Sequence, residues 1–253
     1  MRKLGLLAVL FAPLALAESV SVEPHSLLRL PASSSVLQLQ RLDVADYGTL
    51  LIPANLTELS VEQLRLGHEA RIAIVPGEQE LRLRAQHAEL GSGSQILARG
   101  APGTHQKAAR AGRNLDVQLQ SLDAAQVNID ARGGAGADGY AGLDGGNGQA
   151  PGCTWGSAGR GGNGDNGGDG LPGAPGANVR LRLPATFASE AIKVRTDGGQ
   201  GGAAGVPGRP GAGGKSKGCV VYRAEGGKSG REGLPGRAGE AGTEGTLSIQ
   251  RFQ

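Results

Sequence analysis

Aromatic side chains are nearly missing from this 253-residue chain, which holds one Trp, three Tyr and three Phe. Cysteine is as scarce, with Cys153 and Cys219 only. Two cysteines exclude a multi-bridge framework and leave one disulfide as the default in an exported chain. Long apolar runs are lacking beyond Leu4–Leu16, which is too short to span a bilayer, so no membrane span is expected. That run follows Arg2 and Lys3 and precedes Ala15-Leu16-Ala17, the layout of an export signal over residues 1–17. No cysteine follows the cleavage point, which argues against a lipid anchor. Charge of one sign is also lacking. The formal +3 becomes +1 once Arg2 and Lys3 leave with the signal, and no concentrated basic face is evident, so no nucleic-acid partner is expected.

What is present begins with period-two alternation. Apolar-polar-apolar triplets open at Leu37, Leu59, Leu81, Leu115, Leu181 and Leu247; the first three start 22 residues apart. The later gaps of 34, 66 and 66 equal 22 plus insertions of 12, 44 and 44. A second alternating run follows in most units, with Leu50 and Ile52, Ile72 and Ile74, Val127 and Ile129, and Ile192 and Val194. Alternation of this kind marks half-buried strands. Equal spacing predicts stacked units that bury one continuous core, an all-β solenoid of 22-residue coils. A β-sandwich bearing the same insertions is the alternative.

The insertions are glycine-rich. Glycine recurs every third residue from Gly133 to Gly148 and from Gly161 to Gly176. Both blocks return 66 residues later, with Cys153 mapping onto Cys219. Such spacing reads as polyproline II, with about 3.1 Å rise per residue and a bare glycine stripe. A collagen triple helix would use more proline than the seven in residues 133–253. The reading is therefore two antiparallel polyproline II hairpins within one chain, with legs 133–150, 161–178, 199–216 and 227–245, packed as a four-leg bundle. Equivalent linkers place Cys153 and Cys219 at one tip, and a bridge there stabilises by about 4 kcal/mol on the chain-entropy model. Asp138, Asp144, Asp165 and Asp169 make the first hairpin acidic, and seven basic residues make the second basic, which favours docking.

These repeats resemble the polyproline II bundle proteins of the snow-flea antifreeze type. They are also similar to the glycine-triplet "collagen-like" proteins exported by bacteria. The resemblance covers 133–178 and 199–245 and implies fold rather than activity.

The expected division is signal peptide 1–17, solenoid 18–132, first hairpin 133–178, a further coil at 179–198, second hairpin 199–245 and a terminal strand at 246–253. Chemistry is sparse. Gly214-Lys215-Ser216 looks like the end of a phosphate loop, but Arg209 stands where its first glycine belongs. No Gly-x-Ser-x-Gly elbow occurs. Asp165 and Asp169 are calcium candidates within a string like a β-roll nonapeptide, with solvated side chains as the plainer reading. His68 and His87 face each other only if neighbouring coils bring them together. Among the solenoid aspartates Asp43, Asp46, Asp116 and Asp123, no spacing fixes an acid pair. Trp155 and Tyr222 flank the cysteines, either capping the disulfide or forming a binding tip. The expectation is a non-enzymatic, exported structural or interaction protein, monomeric, without cofactor, meeting a protein or glycan in the periplasm or outside the cell. A trimeric collagen-like adhesin, a glycan-binding or glycan-cleaving solenoid and an ice-binding protein are the alternatives.

Overall fold

The computed structural model describes residues 18–153 and 156–252. Residues 1–17, where an export signal is expected, and Thr154, Trp155 and Gln253 lie outside the described residues. Successive units each give one strand to each of two sheets. The pairs are β1 (Ser19–Val22) with β2 (Leu27–Arg29), β3 (Val36–Val44) with β4 (Thr49–Ile52), and β5 (Glu58–Leu66) with β6 (Arg71–Ile74). Then come β7 (Leu81–Leu90) with β8 (Gln95–Leu97), β9 (Leu115–Ala124) with β10 (Val127–Asp130), and β11 (Val179–Pro184) with β12 (Ile192–Arg195). A 3-10 turn, Ser189–Ala191, precedes β12. Two short strands, β13 (Lys217–Gly218) and β14 (Arg223–Ala224), pair with each other, and β15 (Leu247–Phe252) ends the series. The larger sheet runs β1-β3-β5-β7-β9-β11-β15 and the smaller β12-β10-β8-β6-β4-β2. All their neighbours pair in parallel.

One apolar cluster draws on both sheets, with Leu42, Leu59, Leu64 and Leu83 from the larger and Leu50, Ile52, Ile72 and Ile129 from the smaller. Alternation places these side chains on one face of each strand, where burial removes them from water. Arg113 is fully buried among them. Its guanidinium donates to the carbonyls of Gln79, Pro53 and Leu56, so three turn carbonyls share one cation. Burial lowers the Arg113 pKa.

The expected fold class is overturned. Neither the solenoid of constant 22-residue coils nor the sandwich is found, but two open parallel sheets edged by β1 and β15 and by β2 and β12. Parallel pairing excludes the antiparallel sandwich. The unit length is not constant either: Val36 faces Glu58 at a step of 22, Glu58 faces Arg82 at 24, Leu81 faces Leu115 at 34, Leu115 faces Val179 at 64, and Val179 faces Leu247 at 68. Leu59 thus lies opposite Leu83, not Leu81. A slip of two keeps every residue on its face, which is why alternation alone does not reveal it. Nor are polyproline II hairpins shown: the described residues of 131–178 and 196–216 carry neither helix nor strand. Triplet glycine fixes where the backbone is bare, not which dihedrals it adopts.

These segments are nonetheless joined to one another by regular rows of backbone hydrogen bonds. Amides of the first donate in parallel to the third, every three residues from Gly133 to Asp197 through Gly148 to Ala212. The second donates in parallel to the fourth, from Gly161 to Lys228 through Gly176 to Thr243. The second also donates antiparallel to the first, from Gly162 to Gly146 through Ala177 to Ala131. The third donates antiparallel to the second, from Gly199 to Ala174 through Gly214 to Gly159, and the fourth likewise to the third. The N···O distances in these rows are 2.7–3.0 Å. Backbones this close leave no room for side chains between them. A Cβ on Gly164 would overlap the Gly208 carbonyl oxygen, and one on Gly205 the Tyr140 carbonyl oxygen.

Candidate functional site

The third residue of many triplets completes the lattice. Asp138, Asp144 and Asn147 accept the amides of Ala203, Arg209 and Ala212 at 2.7–2.8 Å. Asn163, Asn166, Asp169 and Asn178 accept those of Arg231, Leu234, Arg237 and Thr246 at 2.7–3.0 Å. These amides would otherwise be free, and a carboxylate or amide oxygen satisfies them at the spacing of the repeat. Docking by opposite charge is not what the acids do. No ion pair joins two glycine segments among the described residues. The calcium candidates separate likewise: the Asp169 carboxylate caps Arg237 at 2.7 Å, and no group of three metal-binding side chains occurs among the described residues.

At the end far from the sheets, Cys153 and Cys219 form a disulfide with Cα atoms 5.7 Å apart. The Tyr222 hydroxyl donates to the Cys153 carbonyl at 3.1 Å, a second tie between the two linkers. Tyr222 is therefore a brace that remains 45% exposed. Strands β13 and β14 pair Lys217 with Ala224 and Gly218 with Arg223, and the Cys219 amide closes the turn on the Tyr222 carbonyl at 2.8 Å. Val220 and Val221 occupy that turn and are 104% and 93% exposed. Turns draw on Gly, Pro, Asn, Asp and Ser, so a bare Val-Val is a local mismatch of the sort found at functional positions. Sequence reasoning missed this dipeptide, because apolar residues beside a cysteine read as cover for it.

A second concavity crosses the larger sheet. Strands β3, β5, β7 and β9 each expose two residues in succession, Gln40-Arg41, Glu62-Gln63, Gln86-His87 and Gln120-Ser121. Pairing lapses at Gln40, Glu62, Gln86 and Gln120. The aligned lapses form a polar groove of about 390 Å³, lined also by Gln38, Ser60, Arg84 and Gln118. His87 sits in the adjoining row with Gln63 and Ser121. His68 lies elsewhere, edge-on to Tyr47 at 5.3 Å with its Nδ1 2.8 Å from Ser92 Oγ, so the two histidines do not meet. The aspartates form no acid pair: Asp46 accepts the His68 amide, Asp116 lies 3.2 Å from Arg182, and Asp43 and Asp123 are separated in one row by Arg65 and Glu89.

Where the glycine segments leave the smaller sheet, Asp130 takes Arg99 at 2.6 Å and Arg132 at 3.0 Å. Burial alone would raise this carboxyl, but hydrogen bonds from Arg132 and Arg99 outweigh it and hold the pKa below the usual carboxylate range. The junction is thus a structural clamp. No helix among the described residues is long and apolar enough to cross a membrane. No protein-family model, curated protein or solved structure matches this chain.

Proposed function

We propose that the chain is an exported, non-enzymatic structural or interaction protein of the bacterial periplasm, cell surface or matrix. It displays its glycine lattice as a rigid projection and meets a protein or glycan partner. The observation that carries this reading is the lattice itself: four segments of one molecule joined in regular rows and closed by Cys153–Cys219 at the end away from the sheets. A lattice so joined transmits position from the sheets to the tip without a hydrophobic core of its own. Intrachain pairing of the glycine amides also supports a monomer over a collagen-like trimer, because those donors are already taken.

A labelled full-length chain applied to intact bacterial cells and to immobilised envelope glycans tests this. Saturable retention without release of cleaved sugar is expected, and it should fall when the lattice is disrupted by Gly164→Ala with Gly205→Ala. Reducing sugar released in step with chain concentration would contradict the non-enzymatic reading, and absence of retention would contradict display.

Glycan binding at the polar groove is a second reading, favoured by its four aligned positions Gln40, Glu62, Gln86 and Gln120. Amides and carboxylates in a row supply the donors and acceptors that hydroxyl groups need. Replacing Gln86 and Gln120 with Ala should then weaken glycan retention while leaving the fold intact.

A further inference from the structure

We infer that the stapled tip docks on an anionic lipid surface, seating Val220 and Val221 at the headgroup boundary; this rests on the display reading and adds a lipid contact at its far end to the protein or glycan partner. Two independent observations converge there. One is apolar: Val220 and Val221 are uncovered by any of the described residues and are held outward by the disulfide, the β13–β14 pairing and the Tyr222–Cys153 hydrogen bond. A fixed pair loses little freedom when it enters an interface.

The other is electrostatic. The two linkers, 149–160 and 214–228, carry Arg160, Lys215, Lys217, Arg223 and Lys228 against Glu225 alone, a net charge of +4. Residues 18–253 carry only +1, so the rest of the molecule is net acidic by three charges. All five basic residues are exposed, and none makes an ion pair among the described residues. Basic groups around a small apolar prominence match a surface that is negative outside and apolar beneath. A soluble acidic partner would satisfy the charges but give the valines nothing to enter. A neutral apolar partner would leave the charges unused.

The test is sedimentation of the disulfide-bonded chain without residues 1–17, with vesicles of phosphatidylcholine alone or mixed with phosphatidylglycerol, and with free glycerol phosphate and polyglutamate as competitors. The expected result is retention on the mixed vesicles that falls with salt and resists glycerol phosphate. Lys215→Gln with Lys217→Gln should weaken it roughly twentyfold. Val220→Ser with Val221→Ser should weaken it roughly tenfold with the disulfide intact. Val206→Ser, on the side of the third glycine segment, should leave it unchanged. Equal retention on neutral vesicles, indifference to the valine substitutions, or complete displacement by polyglutamate would each overturn the inference. Protease digestion of the same sample separates the two readings. Absent retention by a protease-resistant chain defeats the lipid inference alone, whereas ready cleavage of the glycine segments in buffer defeats display and the inference with it.

Discussion

The sheets and the glycine segments solve one problem in opposite ways. Both set neighbouring stretches of a single chain side by side with regular backbone hydrogen bonds. Between the sheets, the space is filled by Leu42, Leu59, Ile72 and their neighbours, and stability comes from apolar burial. Among the glycine segments there is no such filling. Carbonyl oxygens occupy the positions where Cβ atoms would stand, so cohesion lies in backbone bonds, side-chain caps and one disulfide. The first design requires large side chains and fails when they shrink. The second requires their absence and fails when one is added.

Opposite substitutions should therefore harm the two regions. The largest effect is expected between the sheets: Leu64→Ala should cost about 2–5 kcal/mol in chemical denaturation, since a fully buried side chain leaves a cavity. Adding one methyl group at Gly205 should cost about 1–3 kcal/mol, because the displaced atom is the Tyr140 carbonyl and backbone cannot step aside as a side chain can. Gly146→Ala is the control, with nothing within 4 Å of its Cβ, and should leave the melting temperature unchanged or slightly raised. If Gly205→Ala were as harmless as Gly146→Ala, the contrast between the regions would fail.

Smaller effects sharpen the picture. Asn166→Ala frees the Leu234 amide and should cost about 1 kcal/mol, with faster hydrogen exchange at Leu234 and its neighbours. The smallest effect concerns pH. The folded Asp130 carboxyl titrates below its unfolded value, so its contribution is complete above about pH 4 and is lost as pH falls through the depressed folded value. Asp130→Asn should flatten that acid-side loss in a pH series of melting temperatures.

Much of the sheet region was legible from alternation, because Leu50 with Ile52 and Ile72 with Ile74 can bury one face only as strands. Register was not, since a two-residue slip at Leu83 preserves every face. Strand β8 escaped notice because Gln95–Leu97 presents one buried apolar residue, Ile96, too few to show a period. The Cys153–Cys219 bridge was legible from equivalent positions in the duplicated blocks. The caps had a signal that went unread: in the second segment the third slot holds Asn163, Asn166, Asp169, Pro172, Pro175 and Asn178, each an acceptor for a neighbour's amide or a residue with no amide of its own. Exposure at Val220 and Val221 had no signal in composition, because only the fold shows that no described residue covers them.

The account rests on glycine amides bonded within one molecule, and amide hydrogen exchange followed by NMR in dilute, non-reducing solution tests it most directly. Gly136, Gly164, Gly205 and Gly236, each a donor in a separate row, should exchange slowly and at rates independent of protein concentration. Exchange at unfolded-chain rates, or protection that appears only as chains associate, would contradict it.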